Sequence, residues 1–478
     1  NFKTCMRLHN TRVMGYMLLL VASAIWSCST RQDVDPNPIP KANYFTTSFD
    51  KTLLLSSSTI QMGDGDISLP AIKVDTQTTF QTIDGFGYTL TGGSAYLIEK
   101  MEATSRDKLI KELFGCDAGE NCVNYLRISL GASDLSETFF TYDEMPAGQT
   151  DPTLAQFNLS RDTLDLIPLL KRILSIQPQI KIMASPWTAP LWMKTNGQSV
   201  GGNLKTEHQG VYADYFVKYI NAMKKLGIRI DAVTIQNEPQ HGGNNPSMIM
   251  SFTQQADFIK NHLGPAFKGA GIDTKIVIWD HNCDNYQYPL AVLSDAGAAQ
   301  YIDGTAFHLY GGDEGALSLV HDAHPDKNLY FTEQWTGGNA QFGDDLKWHM
   351  RHVVMGTTRN WSKNVLEWNL AADPSFDPHL DGGCSLCLGA VTINGNTYSR
   401  NVSYYIIAHA SRFIKAGAVR MSSPWFESTP NVAFKNPDGS KVIILMNESA
   451  ATKKIHITDG RVAAVLEMKP GTVNTFVW

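Results

Sequence analysis

The sequence predicts an α/β chain built as a (β/α)8 TIM barrel with an accessory β-sandwich domain formed from both chain ends. Three observations predict this. Eight short apolar runs alternate with amphipathic segments between Asp84 and Ala371, which is the strand–helix rhythm of a closed parallel barrel. On either side of that region the pattern changes to short alternating runs punctuated by Gly, Asp and Pro, as in antiparallel strands joined by tight turns. Finally, 478 residues exceed the roughly 250 of one barrel and leave chain for a second unit.

At the N-terminus, Arg7 and Arg12 precede the apolar run VMGYMLLLVASAIW, Val13 to Trp26. The run is short for a bilayer span, and its flanks fit a secretory h-region. Ser27 and Cys28 follow, so AIWSC resembles a bacterial lipobox, in which the Cys becomes an acylated N-terminus. Residues 1–28 are expected to be a lipoprotein signal with Cys28 as the lipidation site. Plain cleavage and release is the alternative, because Trp26 is unusual at that position. Residues 29–41, STRQDVDPNPIPK, read as a Pro-rich tether. On the lipobox reading the chain is expected to be exported and held by lipid at a bacterial envelope, at the outer membrane or cell surface.

The first sandwich segment is expected over 42–83, where AIKVD and TTFQTI alternate. The barrel is expected over 84–409. Its strand-like runs are DGFGYTL, VNYLRISLGASD, IKIMASPW, DAVTIQNEP, KIVIWDH, DGTAFHLY, NLYFTEQW and VLEWNLA. Between them, TSRDKLIKELFG shows a capping-box spacing at Thr104 and Asp107, apolar residues at helical intervals and a closing Gly115. RDTLDLIPLLKRIL and VYADYFVKYINAMKKLG have similar spacing. The sandwich resumes over 410–478. There Pro437 presets φ, Asp438 and Gly439 supply the bend, and KNPDGSK joins VAF to VIILMN as a hairpin.

A net charge of −6 gives no basic footprint, so nucleic acid is not an expected partner. Ten Trp and seventeen Tyr are either core residues or faces for sugars; composition does not separate the two. In an exported chain, the close pairs Cys116/Cys122 and Cys384/Cys387 read as disulfides. CSLC lacks the second pair of a zinc site, and Cys283 is left over.

Barrel sites lie at the C-terminal ends of strands. Asp134, Trp187, Asn237, Glu238, His308, Tyr310, Glu333 and Trp368 all close apolar runs there. Glu238 and Glu333 end the fourth and seventh runs, 95 residues apart, a gap that three βα units of roughly 30 residues fill. Their carboxylates can face each other across the mouth, the arrangement that glycosidic cleavage uses. A structural or metal-bridging pair is the competing reading, but no third ligand is convincingly placed, and neither metal nor organic cofactor is expected. Asn237 can hold a sugar 2-hydroxyl, and Tyr310 can donate to Glu333. Arg127 either keeps Glu333 ionised or forms an ordinary barrel ion pair. Glu238, as the acid, should carry the raised pKa.

The motifs DGFGYTLT, LRISLGASDLS, ASPWTAPLWMKTNG, TIQNEPQ, AFHLY, FTEQW, LEWNLA and HASRFIKAGAVR occur in this order from about Gln81 onward. With them the chain resembles glycoside hydrolase family 30, a family of retaining enzymes. The resemblance implies Glu238 as acid/base and Glu333 as nucleophile. It also implies Asp134, Trp187, Asn237, His308, Tyr310 and Trp368 as sugar-binding residues. Leu309 stands where lipid-glucoside relatives often carry an aromatic residue, which leaves one wall of the pocket without it. DGGCSLCLGAVTI, Asp381 to Ile393, looks like the Cys-containing loop of the β-1,6-glucanase branch. The implied activity is a retaining β-glucanase, foremost an endo-β-1,6-glucanase acting on β-linked glucan. The alternative is a β-glucosidase or glucosylceramidase-type exo-enzyme. A non-catalytic glycan-binding lipoprotein is the reading from a different class, and the presence of both Glu weighs against it.

Overall fold

Eight parallel strands close on themselves in the computed structural model, which describes residues 40–66 and 68–478. They are Gly85–Leu90, Tyr125–Ser129, Lys181–Ser185, Ala232–Thr234, Lys275–Asn282, Ile302–His308, Asn328–Glu333 and Ser362–Asn369. Each of the eight runs read from the sequence supplies one strand, in chain order, and the eighth pairs back onto the first through Asn364 and Gly85. The interior is packed: Tyr125, Met183, Ala232, Val277, Ala306, Tyr330 and Leu366 form one buried layer, as a filled barrel requires. The first strand approaches its neighbour closely at Gly87, where a Cβ would fall 1.8 Å from the Tyr125 carbonyl oxygen. The signal over 1–28, Cys28 and the tether lie outside the described residues, apart from residues 40 and 41, where Lys41 already opens a strand. Among the described residues no helix is long and apolar enough to cross a membrane.

The helix Ala103–Phe114 buries Leu109, Ile110, Leu113 and Phe114 against the barrel, following its periodicity. Its expected capping box does not form. The helix begins before Thr104, with Glu102 at the N-cap and no side-chain cap bond. Thr104 is thus already inside the first turn, where its hydroxyl cannot serve the free amides. A capping box occurs instead at Ser251 and Gln254, opening Phe252–Phe258.

Both chain ends build the sandwich. Its large sheet runs in the order Ser56–Gln61, Lys41–Ser48, Thr472–Val477, Lys441–Asn447, Asn431–Lys435, Val419–Ser422, Asp75–Thr82. A smaller sheet runs in the order Ala463–Met468, Lys453–Thr458, Ala71–Lys73, and Gly63 bridges to Ala463 at its edge. Ile72, Val74, Met421, Ile443, Leu445, Ile455, Ile457, Leu466 and Phe476 are buried together between the two sheets. Every residue of the helix Val402–Ser411 is buried. From it, His409 bonds Thr475 through Nδ1 and Thr47 through Nε2, both at 2.9 Å. Burial pushes the His409 pKa down to about 3, so a neutral ring ties this helix to strands from both chain ends.

Candidate active site

The ends of the barrel strands converge on one buried ionic network. Arg127, on the second strand, is fully buried. It donates to Glu333 Oε2 at 2.6 Å, Asn237 Oδ1 at 2.6 Å, Asp280 Oδ2 at 2.8 Å and Ser185 Oγ at 3.1 Å. A buried guanidinium is tolerable only when its donors are satisfied and its charge is paired. Asp280 is the second hub. It also accepts from Thr234 and Thr332, each at 2.7 Å, and meets His308 Nε2 at 3.1 Å. Burial acts to raise the Asp280 pKa, but Arg127, His308 and Thr332 together hold it well below the usual carboxylate range.

Glu238 and Glu333 face this network from the fourth and seventh strands. Tyr310 donates its hydroxyl to Glu333 Oε1 at 2.9 Å. His308 Nδ1 lies 3.0 Å from Glu238 Oε1 and 3.9 Å from Glu333 Oε1. Sharing that nitrogen limits the separation of the two carboxylate oxygens to about 7 Å, a range that includes the roughly 5–5.5 Å of a retaining pair. Glu238 has a φ of 45°, unusual for a residue with a side chain. Its N–H donates to the Asp280 carbonyl at 3.0 Å, and its own carbonyl accepts from the His241 N–H at 2.8 Å. Because Asn237 Oδ1 is taken by Arg127, its amide nitrogen remains as the donor.

Local backbone irregularities aim several of these side chains. Register shifts place Asp280 between the pairs Ala306–Trp279 and Phe307–His281. Thr332 is likewise skipped between Phe307–Phe331 and His308–Glu333, and Trp368 between Glu367–Tyr88 and Asn369–Thr89. Each is an extra residue in its ladder, and a bulge of this kind re-aims a side chain.

The proton distribution differs from the sequence expectation. Glu238 is lowered, not raised: burial acts upward, but the His308 hydrogen bond and charge overcome it, helped by His281 and His241. Glu333 is raised: burial outweighs His308 and Arg127, and the Glu238 charge adds to it. The physical reason is that Arg127 divides its charge among several acceptors, while His308 pairs directly with Glu238. Burial acts to lower the His308 pKa, yet Glu333, Asp280 and Glu238 surround the ring and push it up to about 9. Near neutral pH the proton therefore sits on His308, one hydrogen bond from Glu238.

A cavity of about 450 Å³ opens over the two Glu. Asp134, Trp187, Asn237, Tyr310 and Trp368 line it, while Arg127 and His308 lie beneath as supports. Trp187 and Trp368 are nearly buried, with ring centroids 5.5 Å apart, and the Arg127 guanidinium carbon sits 4.7 Å from the Trp187 ring centre. Leu309 is buried in the main core, and Trp335 lines the cavity. Sequence reasoning missed Asp280, His281 and Trp335. Asp280 and His281 end the fifth apolar run, the same signal that marked the other strands. Cys116 is bonded to Cys122 and Cys384 to Cys387, while Cys283 is free and buried. Glu238, His281 and His308 each offer one ligand atom within 4.8 Å of the others, but a protonated His308 has both ring nitrogens engaged as donors to Glu238 and Asp280, so near neutral pH it has no lone pair to give a cation.

Comparison with known proteins agrees with this geometry. The sequence profile of the "Glycosyl hydrolase family 30 TIM-barrel domain" matches residues 83–414, and that of the "Glycosyl hydrolase family 30 beta sandwich domain" matches residues 417–476. An endo-1,6-β-D-glucanase of Aspergillus fumigatus is 36% identical over 394 residues, covering 77% of this chain and 78% of its own length. The lysosomal acid glucosylceramidase of Mus musculus is 29% identical, covering 95% of this chain and 93% of its own. A solved endo-β1,6-glucanase superposes with a TM-score of 0.84 at 36% identity, covering 92% of this chain and 99% of that one. With barrel, sandwich and paired carboxylates in place, the chain belongs to glycosyl hydrolase family 30 and is a glycoside hydrolase.

Proposed function

We propose that this enzyme cleaves β-1,6-glucosidic bonds within a glucan with retention of configuration. The observation that carries the reading is the placement of Glu238 and Glu333 against one His308 nitrogen at the floor of one cavity. The Glu333 carboxylate attacks the anomeric carbon. The bond to the leaving oxygen breaks, and that oxygen takes the proton from Glu238. Water then attacks the glycosyl ester, giving its proton to Glu238 and releasing Glu333. Asn237 offers its amide to the sugar 2-hydroxyl, and Asp134, Trp187, Tyr310 and Trp368 hold the ring. The β-1,6 linkage is supported by the glucanase relatives at 36% identity. An exo-acting glucosidase is the second reading, supported by the glucosylceramidase that aligns with 95% of the chain. Digestion of linear β-1,6-glucan is expected to yield a ladder of oligosaccharides early in the reaction. Glucose as the sole early product would favour the exo reading instead.

His308 Nδ1 is hydrogen-bonded to Glu238 at 3.0 Å and lies 3.9 Å from Glu333, so its proton passes to Glu238 when substrate displaces water and makes a second carboxylate charge costly. On the alkaline side, kcat/KM should therefore fall as pH rises through about 9, where His308 loses that proton, because kcat/KM reports the free enzyme. His308→Gln is expected to move this limb to lower pH, since Glu238 must then hold the proton alone. An unshifted limb in the variant would remove His308 from the proton path.

We also propose that the chain is exported and anchored by lipid at Cys28. Two disulfides are compatible with an oxidising compartment, and the run before Cys28 has the form of an export signal. Partition into the detergent phase, lost in Cys28→Ala, tests it; partition unchanged in that variant would refute it.

A further inference from the structure

The segment 380–388 follows the eighth strand and has little regular structure, yet it reaches three other parts of the barrel mouth. Behind the second strand, the Leu380 N–H donates to the Asp134 carbonyl at 2.7 Å, and the Cys384 N–H to Asp134 Oδ2 at 3.3 Å. Behind the fourth, the Asp381 carbonyl accepts from Asn245 Nδ2 at 2.9 Å. Behind the seventh, Cys387 and Leu388 pair antiparallel with Gly337 and Thr336, and the Leu386 carbonyl accepts from the Gly338 N–H at 2.9 Å. Gly382, Gly383, Cys384 and Cys387 line the cavity. The disulfide packs with Trp187, Trp368, Leu135 and Trp335.

We infer that the Cys384–Cys387 disulfide is a positioning element: it holds this segment as a strap across the mouth and so fixes the Asp134 carboxylate against the sugar. The inference rests on the proposed reading of Asp134 as a sugar-binding group. Three features support it. Asp134 is buried, and its carboxylate accepts from the strap through the backbone of a bonded Cys. Two glycines precede the bridge, so without it this stretch has wide backbone freedom. The fit is also close: a Cβ at Gly383 would lie 2.7 Å from the Asp134 carbonyl oxygen and 3.1 Å from its Cβ.

The test is a mutant cycle on the full chain, with linear β-1,6-glucan oligosaccharide as the probe. Cys384→Ser with Cys387→Ser is expected to lower kcat/KM by about 10-fold or more, as a misplaced binding group does. The melting temperature should fall by no more than about 5 °C, because the ring closed is short. Asp134→Ala alone should lower kcat/KM further. Combining all three changes should cost no more than Asp134→Ala within about twofold, because the Cys pair acts through Asp134. Gly383→Ala, which keeps the disulfide, should also lose activity and lose nothing more when Asp134 is absent. Losses that multiply, or full activity in the Cys pair variant, would overturn the positioning role. Full activity in Asp134→Ala would instead overturn the reading of Asp134 as a sugar-binding group.

Discussion

Glu333→Ala is expected to lower kcat on β-1,6-glucan by about 10⁵-fold, roughly 7 kcal/mol of transition-state stabilisation. Alanine leaves no oxygen at that position to form the glycosyl ester. The fold should survive, because Arg127 keeps Asp280, Asn237 and Ser185 as partners. Some destabilisation is still expected, since one member of a buried ion pair is lost. Azide gives a further check. With the carboxylate gone, azide can enter the vacated space and attack an activated β-glucoside directly, giving an α-glycosyl azide. A β-glycosyl azide from this variant, or turnover near that of the wild type, would contradict the assignment of Glu333 as nucleophile.

Glu238→Ala should divide substrates by leaving group. Glycosides with basic leaving groups, including the glucan itself, need the proton and should lose about 10²–10⁴-fold in kcat/KM. Glucosides that release an acidic phenol need no proton for the first step and should lose far less in kcat/KM. Their second step still lacks its base, so the glycosyl enzyme should accumulate and KM should fall with kcat. Azide intercepting that intermediate would give a β-glycosyl azide. Equal losses on both substrate types would argue that Glu238 only supports the site.

The strands and the carboxylate pair were legible in the sequence for the same physical reason. A strand buried in a barrel reads as an apolar run, and its chemistry sits where the run stops. Glu238, Glu333, Asp134, Trp187 and Trp368 could therefore be named from position and residue type. The helix Ala103–Phe114 was legible by period, but its cap was not, because starting before Thr104 removes that residue from the cap position. The bulges at Asp280, Thr332 and Trp368 were not legible, since an extra residue in a ladder is defined by its partner strand. Nor was the proton on His308. It depends on Asp280, Glu238 and Glu333 converging on one ring, and they come from three other strands. The strap was half visible. CSLC announced a disulfide, but its contact with Asp134 spans 250 residues and has no local signature.

The most direct test is to trap the intermediate. A 2-deoxy-2-fluoro-β-glucoside with an activated leaving group slows both steps, while the good leaving group keeps formation faster than hydrolysis. Mass spectrometry of the protein after exposure, followed by proteolysis, locates any added sugar. The expected result is one fluoroglucosyl group per chain, on the peptide that contains Glu333. A sugar attached to Glu238, or turnover to a product of inverted configuration with no adduct, would contradict the double displacement.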